Sequence, residues 1–273
     1  MSLLWRNRVR IGLCPDRLIV AGFRRNLRQI EARKDIVPAR GEGEVDSGEL
    51  ARWYAAVETL PVALAQCDAQ KLEVTVILSN HFVRYALLPW NADLKTEEEW
   101  QSLACHRLAC VYGPAAEGWV LQQSRTAPEG ARVVCAADRP LIDALSERIG
   151  AAGGTLVSVQ PYLMSAFNRV RARIGKEDCW LVLEERGRLT LALFHDGAWQ
   201  AIRSRRGDAN WAAELPEILE REQAMLGIGE PCTQAFVYSE SEIESWSAGT
   251  YRFVDLTLSG TTPDDRAFAM ALG

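Results

Sequence analysis

The chain has 273 residues, 48% of them hydrophobic and 25% charged, which fits one large or two medium globular domains with a sizeable core. Its formal net charge of −5 excludes the overall positive field that grips a nucleic-acid backbone. Seven cysteines, mostly inside apolar stretches such as "VVCAA" and "DCWLVL", read as reduced core thiols of a cytoplasmic protein and exclude a disulfide framework.

In the first residues, "MSLLWRNRVRIG", the apolar side chains ahead of the basic run are too few for a signal-peptide core. No apolar run reaches the roughly 18 residues of a membrane span, so neither a span nor secretory export is expected. Trp5 reads as a packed or frayed terminus, with a short amphipathic anchor on a membrane surface as the rarer alternative. The arginine clusters "RNRVR", "FRRNLR" and "RSRR" read as solvated strand ends, the alternative being a basic patch facing an acidic partner or lipid headgroups.

Strands follow at "RVRIGL", "RLIVAGF" and near "LRQIEA", punctuated by "CPD" and "RRN". Asp46 and Glu49 form a capping-box start for a helix through "ELARWYAAVETLPVALAQC", which Pro61 should kink or break. "KLEVTVILS" and "FVRYALLPW" read as two strands, the second ending at Trp90, which is expected to line a groove for a partner peptide. Thr96 caps the next helix, where Glu97, Glu98 and Glu99 complement the helix dipole and Glu99 completes a capping box. That helix ends near Gly113 and Pro114.

Strands at "GWVLQQS" and "ARVVCAAD", a helix at "RPLIDALSERIGAAGG", a strand at "TLVSVQ" and a helix at "PYLMSAFNRVRARIG" come next. From residue 179 the opening pattern recurs: "CWLVLEE", "RLTLALFHDG" and "AWQAIRSRR" make a meander, then a helix "NWAAELPEILEREQAMLG" and a strand "TQAFVYS". Two copies of a β-β-β-α-β unit spaced by roughly 170 residues indicate a duplicated lobe, not a solenoid. Trp53, Trp100, Trp180 and Trp211 fall at positions expected to face the core.

This plan resembles the actin-like ATPase fold, and within it the cytoplasmic actin-like proteins of type IV pilus and type II secretion assembly, the PilM, MshI and GspL group. The stretches that carry the resemblance are "VRIGL-CPDRLIVAGF", "VTVILSNHFVRYALLPW" with "TEEEWQSLACHRLACVYG", "VVCAADRPLIDALSERIGAAGGTLVSVQPYLMSAF" and "LVLEERGRLTLALFHDGAWQAIRSRRG", covering most of residues 8–256. It implies an α/β protein of two ribonuclease-H-like lobes with mixed sheets and an interlobe cleft. Residues 1–175 form the first lobe, with an inserted subdomain around 91–138, and residues 176–273 form the second.

In nucleotide-binding members the first hairpin carries an Asp and, two residues on, a Gly, so that backbone N–H groups approach the phosphates and the carboxylate positions metal-bound water. Here those places hold Cys14 and Asp16, Pro15 removes a donor, and Arg17 follows. The second hairpin should offer an acid, a Gly two residues on and a Thr; this chain has Glu184, Arg186 and Thr190, with Gly187 one residue late. At the adenine turn, Ser239, Glu240 and Ser241 stand where consecutive glycines are expected. Cys14, Asp16, Arg17, Glu184 and Thr190 are thus expected to line a vestigial cleft with no catalytic residue, cofactor or metal.

The resemblance then implies a non-enzymatic cytoplasmic scaffold, peripheral to the inner membrane, that docks a short tail of an inner-membrane assembly-platform protein; a homo-oligomer is compatible with it. The alternative is an actin-like ATPase or sugar-kinase-like enzyme holding Mg-ATP through Asp16, Glu184 and Thr190. A third class, a Cys/His hydrolase, would draw on His81, His106 or His195. His81 and His195 read instead as hairpin-edge residues, the latter before the turn pair "DG". In "CHRLAC", Cys105 and Cys110 lie about 140° apart round a helix and cannot close a zinc site together, so both read as buried thiols. Asp264 and Asp265 in "TTPDD" read as a helix start, and Glu184 with Glu185 as a solvent-facing pair, the alternative being a strand end facing the cleft, where actin-like enzymes keep a catalytic acid.

Overall fold

Alternation sets the first sheet: in β1 (Arg8–Leu13), Val9, Ile11 and Leu13 are buried under helices on one face. The computed structural model describes residues 8–23, 30–36, 51–65, 72–124, 129–227, 231–240 and 250–256, with Arg266 and Met270. Strands are numbered in chain order. β1 pairs antiparallel with β2 (Leu18–Phe23), and β2 with β3 (Ile30–Ile36). β4 (Glu73–Leu78) lies parallel to β1 on its other side, and β8 (Thr155–Pro161) parallel to β4, giving the order β3-β2-β1-β4-β8.

The second lobe repeats this topology. β9 (Cys179–Glu185), β10 (Arg188–His195) and β11 (Ala198–Arg206) form the meander, and β12 (Gln234–Ser239) and β13 (Arg252–Asp255) add in parallel, in the order β11-β10-β9-β12-β13. The fifth strand, β13, has no counterpart among the elements read from sequence. The turn between β10 and β11 holds Asp196 at φ 48° and Gly197 at φ 73°, both left-handed, as expected of a type I′ hairpin.

β5 (Val83–Leu88), β6 (Trp119–Gln123) and β7 (Arg132–Asp138) make a separate antiparallel sheet in the order β5-β7-β6. Because β5 pairs with β7, this inserted unit opens at Val83 and not near residue 91. α3 (Glu97–Tyr112) and a 3-10 turn (Gly113–Gly118) cover it. α3 buries Trp100, Ala104 and Leu108, four residues apart, on the sheet, with Leu103 and Tyr112 packing beside them, and Cys105 and Cys110 are exposed. That corrects the expectation of buried thiols; Cys14, Cys179 and Cys232 are buried and Cys135 half-buried.

The helix expected to break at Pro61 is two: α1 (Ala51–Glu58) and α2 (Leu60–Ala65). Proline in the first turn of α2 lacks the N–H that would carry the ladder through. α1, α2 and α4 (Arg139–Ala151) cover one face of the first sheet. α5 (Tyr162–Ile174) lies between the lobes, where Leu163, Ala166 and Val170 share one apolar cluster with Ile19 and Ile77 of the first sheet and Leu181, Leu183 and Phe236 of the second. α6 (Trp211–Leu226) closes the outer face of the second sheet. Trp53, Trp100, Trp180 and Trp211 are all buried. Trp5, Cys67, the Asp46–Glu49 capping box, Ser241, Asp264 and Asp265 lie outside the described residues. Among the described residues no helix is long and apolar enough to cross a membrane.

Candidate interlobe site

In parallel sheets ligands sit beyond the carboxyl ends of the strands, and here the ends of β1 and β4 in one lobe face those of β9 and β12 in the other. Cys14 N–H donates to the Arg17 carbonyl at 3.0 Å, closing a turn whose two central residues are Pro15 and Asp16. One of those two has no N–H, so the turn offers little to a phosphate. The Cys14 thiol is buried, 3.6 Å from Met270 Sδ; burial first, then the charges of Glu240 and Glu185, push its pKa well up and keep it protonated.

Across the cleft, Arg186 and Gly187 turn β9 into β10, with Gly187 at φ 77°. The expected glycine position is therefore a side chain, and its guanidinium reaches back to Asp16 Oδ2 at 2.9 Å. At the end of β12, Glu240 pairs with Arg17 at 2.5 Å, with both side chains largely removed from solvent. Ser79 Oγ donates to Glu185 Oε1 at 2.5 Å and Asn80 N–H donates to Oε2 at 3.1 Å. His81 Nε2 stands 3.1 Å from the Arg186 carbonyl, a contact that needs the proton on Nε2. Each of these bonds joins one lobe to the other.

Glu184 and Glu185 are both buried, at 5% and 3% exposure, which overturns the reading of a solvent-facing pair. Glu184 accepts from Ser239 Oγ at 2.9 Å and from Glu240 N–H at 3.1 Å, inside its own lobe. Glu185 is pushed up to about 7 by burial, against the Ser79 and Asn80 bonds and with help from the Glu240 charge. Burial likewise raises Glu240, although Arg17 opposes the shift.

Between the hairpins is a cavity of about 280 Å³ lined by Cys14, Asp16, Ser79, Glu185, Arg186 and Glu240, among others. Of the five residues expected to line the cleft, Cys14 and Asp16 do so. Arg17 and Glu184 sit beside it through their contacts with Glu240, whereas Thr190 is buried within its own sheet, 3.3 Å from Ser204 Oγ. Sequence reasoning placed Arg186 and Glu240 at the cleft only as departures from the nucleotide motifs, kept a cleft-facing Glu185 only as the alternative, and did not assign Ser79 and Asn80 at all. Their signal was positional, since each ends a strand that abuts the cleft. A lining with Asp16, Glu185 and Glu240 is a poor match for a magnesium nucleotide. Both Arg17 and Arg186 are already engaged by carboxylates there, leaving neither guanidinium free for a phosphate. Among the described residues no group of three or more His, Cys, Asp or Glu side chains is arranged to hold a metal ion.

Two larger grooves, each about 400 Å³, flank the inserted sheet. One runs between β5, the end of α3 and β11, with Leu87, Pro89, Val111, Tyr112 and Trp199 in its walls. Trp90, next to Pro89 and 45% exposed, stands beside this groove and is not one of its walls, unlike the sequence expectation. The other is walled by Phe82, Arg84, Trp119 and Pro140. Of the remaining histidines, His195 Nδ1 lies 2.6 Å from Asp178 Oδ2, and His106 Nε2 lies 3.5 Å from Cys110 Sγ.

No protein-family model matches the sequence, and comparison with curated proteins gives no match. Solved structures do match. The cytoplasmic domain of EpsL, an inner membrane component of the type II secretion system of Vibrio cholerae, superposes with a TM-score of 0.61 at 12% identity, over 97% of this chain and 94% of that one. A Bacteroides thetaiotaomicron protein with actin-like ATPase fold and unknown function gives 0.57 at 10% identity, over 88% and 83%. A chain of the PilM–PilN type IV pilus biogenesis complex gives 0.56 at 15% identity, over 87% and 82%. The chain has the actin-like ATPase fold, as the resemblance implied.

Proposed function

We propose that this chain is a non-enzymatic cytoplasmic scaffold at the inner membrane of a type IV pilus or type II secretion-like machine, where it docks a short tail of a membrane partner. One observation carries the reading: the cleft is bridged by the protein's own side chains, with Arg17 on Glu240 and Arg186 on Asp16. Guanidinium groups supply the positive charge that a metal ion supplies in a nucleotide cleft, and an entering phosphate would have to displace a buried ion pair. The fold shared with the EpsL domain and with the PilM–PilN complex favours this class of machine. The groove beside Trp90, walled by Pro89, Val111 and Trp199, is where we place the tail.

Isothermal titration with Mg-ATP and with Mg-ADP tests the first half. No saturable heat is expected at concentrations that would reveal a Kd of about 1 mM, near −4 kcal/mol. Saturable binding would instead favour an enzyme acting on Mg-ATP through Asp16 and Glu184. The second half predicts that Trp90→Ala weakens capture of a platform-protein tail peptide by about tenfold or more, the effect of losing an exposed aromatic anchor. Unchanged affinity would move the tail to another surface.

A further inference from the structure

We propose that His106 and Cys110 are one half of a binding site for a zinc-class divalent cation, completed by the same pair from a second copy of the chain. Both side chains are exposed on α3, and Cys110 Sγ lies 3.5 Å from His106 Nε2. Tetrahedral zinc, with bonds of about 2.3 Å to sulfur and about 2.0–2.1 Å to nitrogen, holds two such donors about 3.5 Å apart. The pair therefore already has the separation the metal imposes. Their spacing of four residues keeps both donors on one helix face. Cys105, about 140° round the axis from Cys110, stays out of the set.

One copy supplies only two donors. No group of three or more potential ligands exists among the described residues, whereas a closed zinc site takes four. A two-fold axis through the metal brings the identical pair from a second molecule and gives an N2S2 shell without any further residue. The surface permits that approach. The donors lie on the far side from the buried stripe of Trp100, Ala104 and Leu108; of their exposed neighbours Ser102 and Ala109 are small, and Arg107 is a long, flexible side chain that can extend away from the metal. A thiolate with imidazole also selects zinc or cobalt over magnesium and calcium, which prefer oxygen.

The test is titration of the reduced chain with Co2+ and then Zn2+, read by absorbance and by sedimentation velocity. The expected result is a thiolate-to-cobalt charge-transfer band with tetrahedral d–d bands, saturating at one metal per two chains, displaced by zinc and accompanied by a doubling of mass. Cys110→Ser and His106→Ala should each abolish band and mass change, and Cys105→Ser should keep both; all three positions are exposed and change little in the fold. No thiolate band in the parent, a band that survives Cys110→Ser, or saturation at one metal per chain without a change of mass would each overturn the proposal.

Discussion

Glu185 binds a proton in the folded chain over a pH range where an exposed glutamate has already released it. Its native pKa, raised to about 7 by burial, stands above the ordinary value of 4.5. Its contribution to stability is therefore fully present below about pH 4.5 and is lost as pH rises through about 7. Glu185→Gln removes the titration and keeps an oxygen for Ser79. The stability of the variant relative to the parent should climb between about pH 5 and pH 8, by no more than about 3 kcal/mol, as followed by urea denaturation. A difference that stays flat with pH would show that the carboxyl is not held as described. "LVLEE" favoured a solvent-facing pair over a cleft-facing one, because what buries Glu184 and Glu185 is not in the strand: Ser79 and Asn80 of the opposite lobe cover Glu185, and the end of β12 covers Glu184.

Within elements, local chemistry was far more legible. Thr96 Oγ1 accepts from Glu99 N–H at 3.2 Å and Glu99 Oε2 accepts from Thr96 N–H at 2.9 Å, the reciprocal box its sequence spells out. Thr96→Ala should cost about 1 kcal/mol, visible as a lower urea midpoint with unchanged slope; an unchanged midpoint would mean the cap contributes nothing. Pro61 broke its helix for a reason the sequence states outright. Other features depend on partners far along the chain. β13 is four residues, "RFVD", held by parallel pairing to β12 and carrying no alternation of its own. β5 followed β4 as a further strand in the sequence, and only its ladder to β7 places it in the inserted sheet. For α3 the apolar residues are spread round the helix, so the sequence pointed to burial for Cys105 and Cys110, although the face buried on the sheet centres on Trp100, Ala104 and Leu108.

Over the whole molecule the two lobes are tied by the buried Arg17–Glu240 pair, the Arg186–Asp16 pair, the hydrogen bonds that Ser79, Asn80 and His81 make to the Glu185–Arg186 corner, and a shared apolar cluster. Arg17→Met would leave the Glu240 carboxylate, on a side chain only 13% exposed, without its nearest cation. A loss of about 3–5 kcal/mol is expected, much of it recovered when Glu240→Gln is added, with chemical denaturation of the parent, both single variants and the double variant as the measurement. Full stability of the single variant would mean that the pair does not tie the lobes together. The duplicated topology was legible because each copy repeats its own strand punctuation; the closure of the cleft was not, because it depends on how the copies face each other. The shared cluster around α5 has a mechanical consequence. Prising the lobes apart would wet Ile19, Ile77, Leu181 and Phe236 together, so the body resists bending about its waist, and a pull applied on one sheet reaches the other as through a strut.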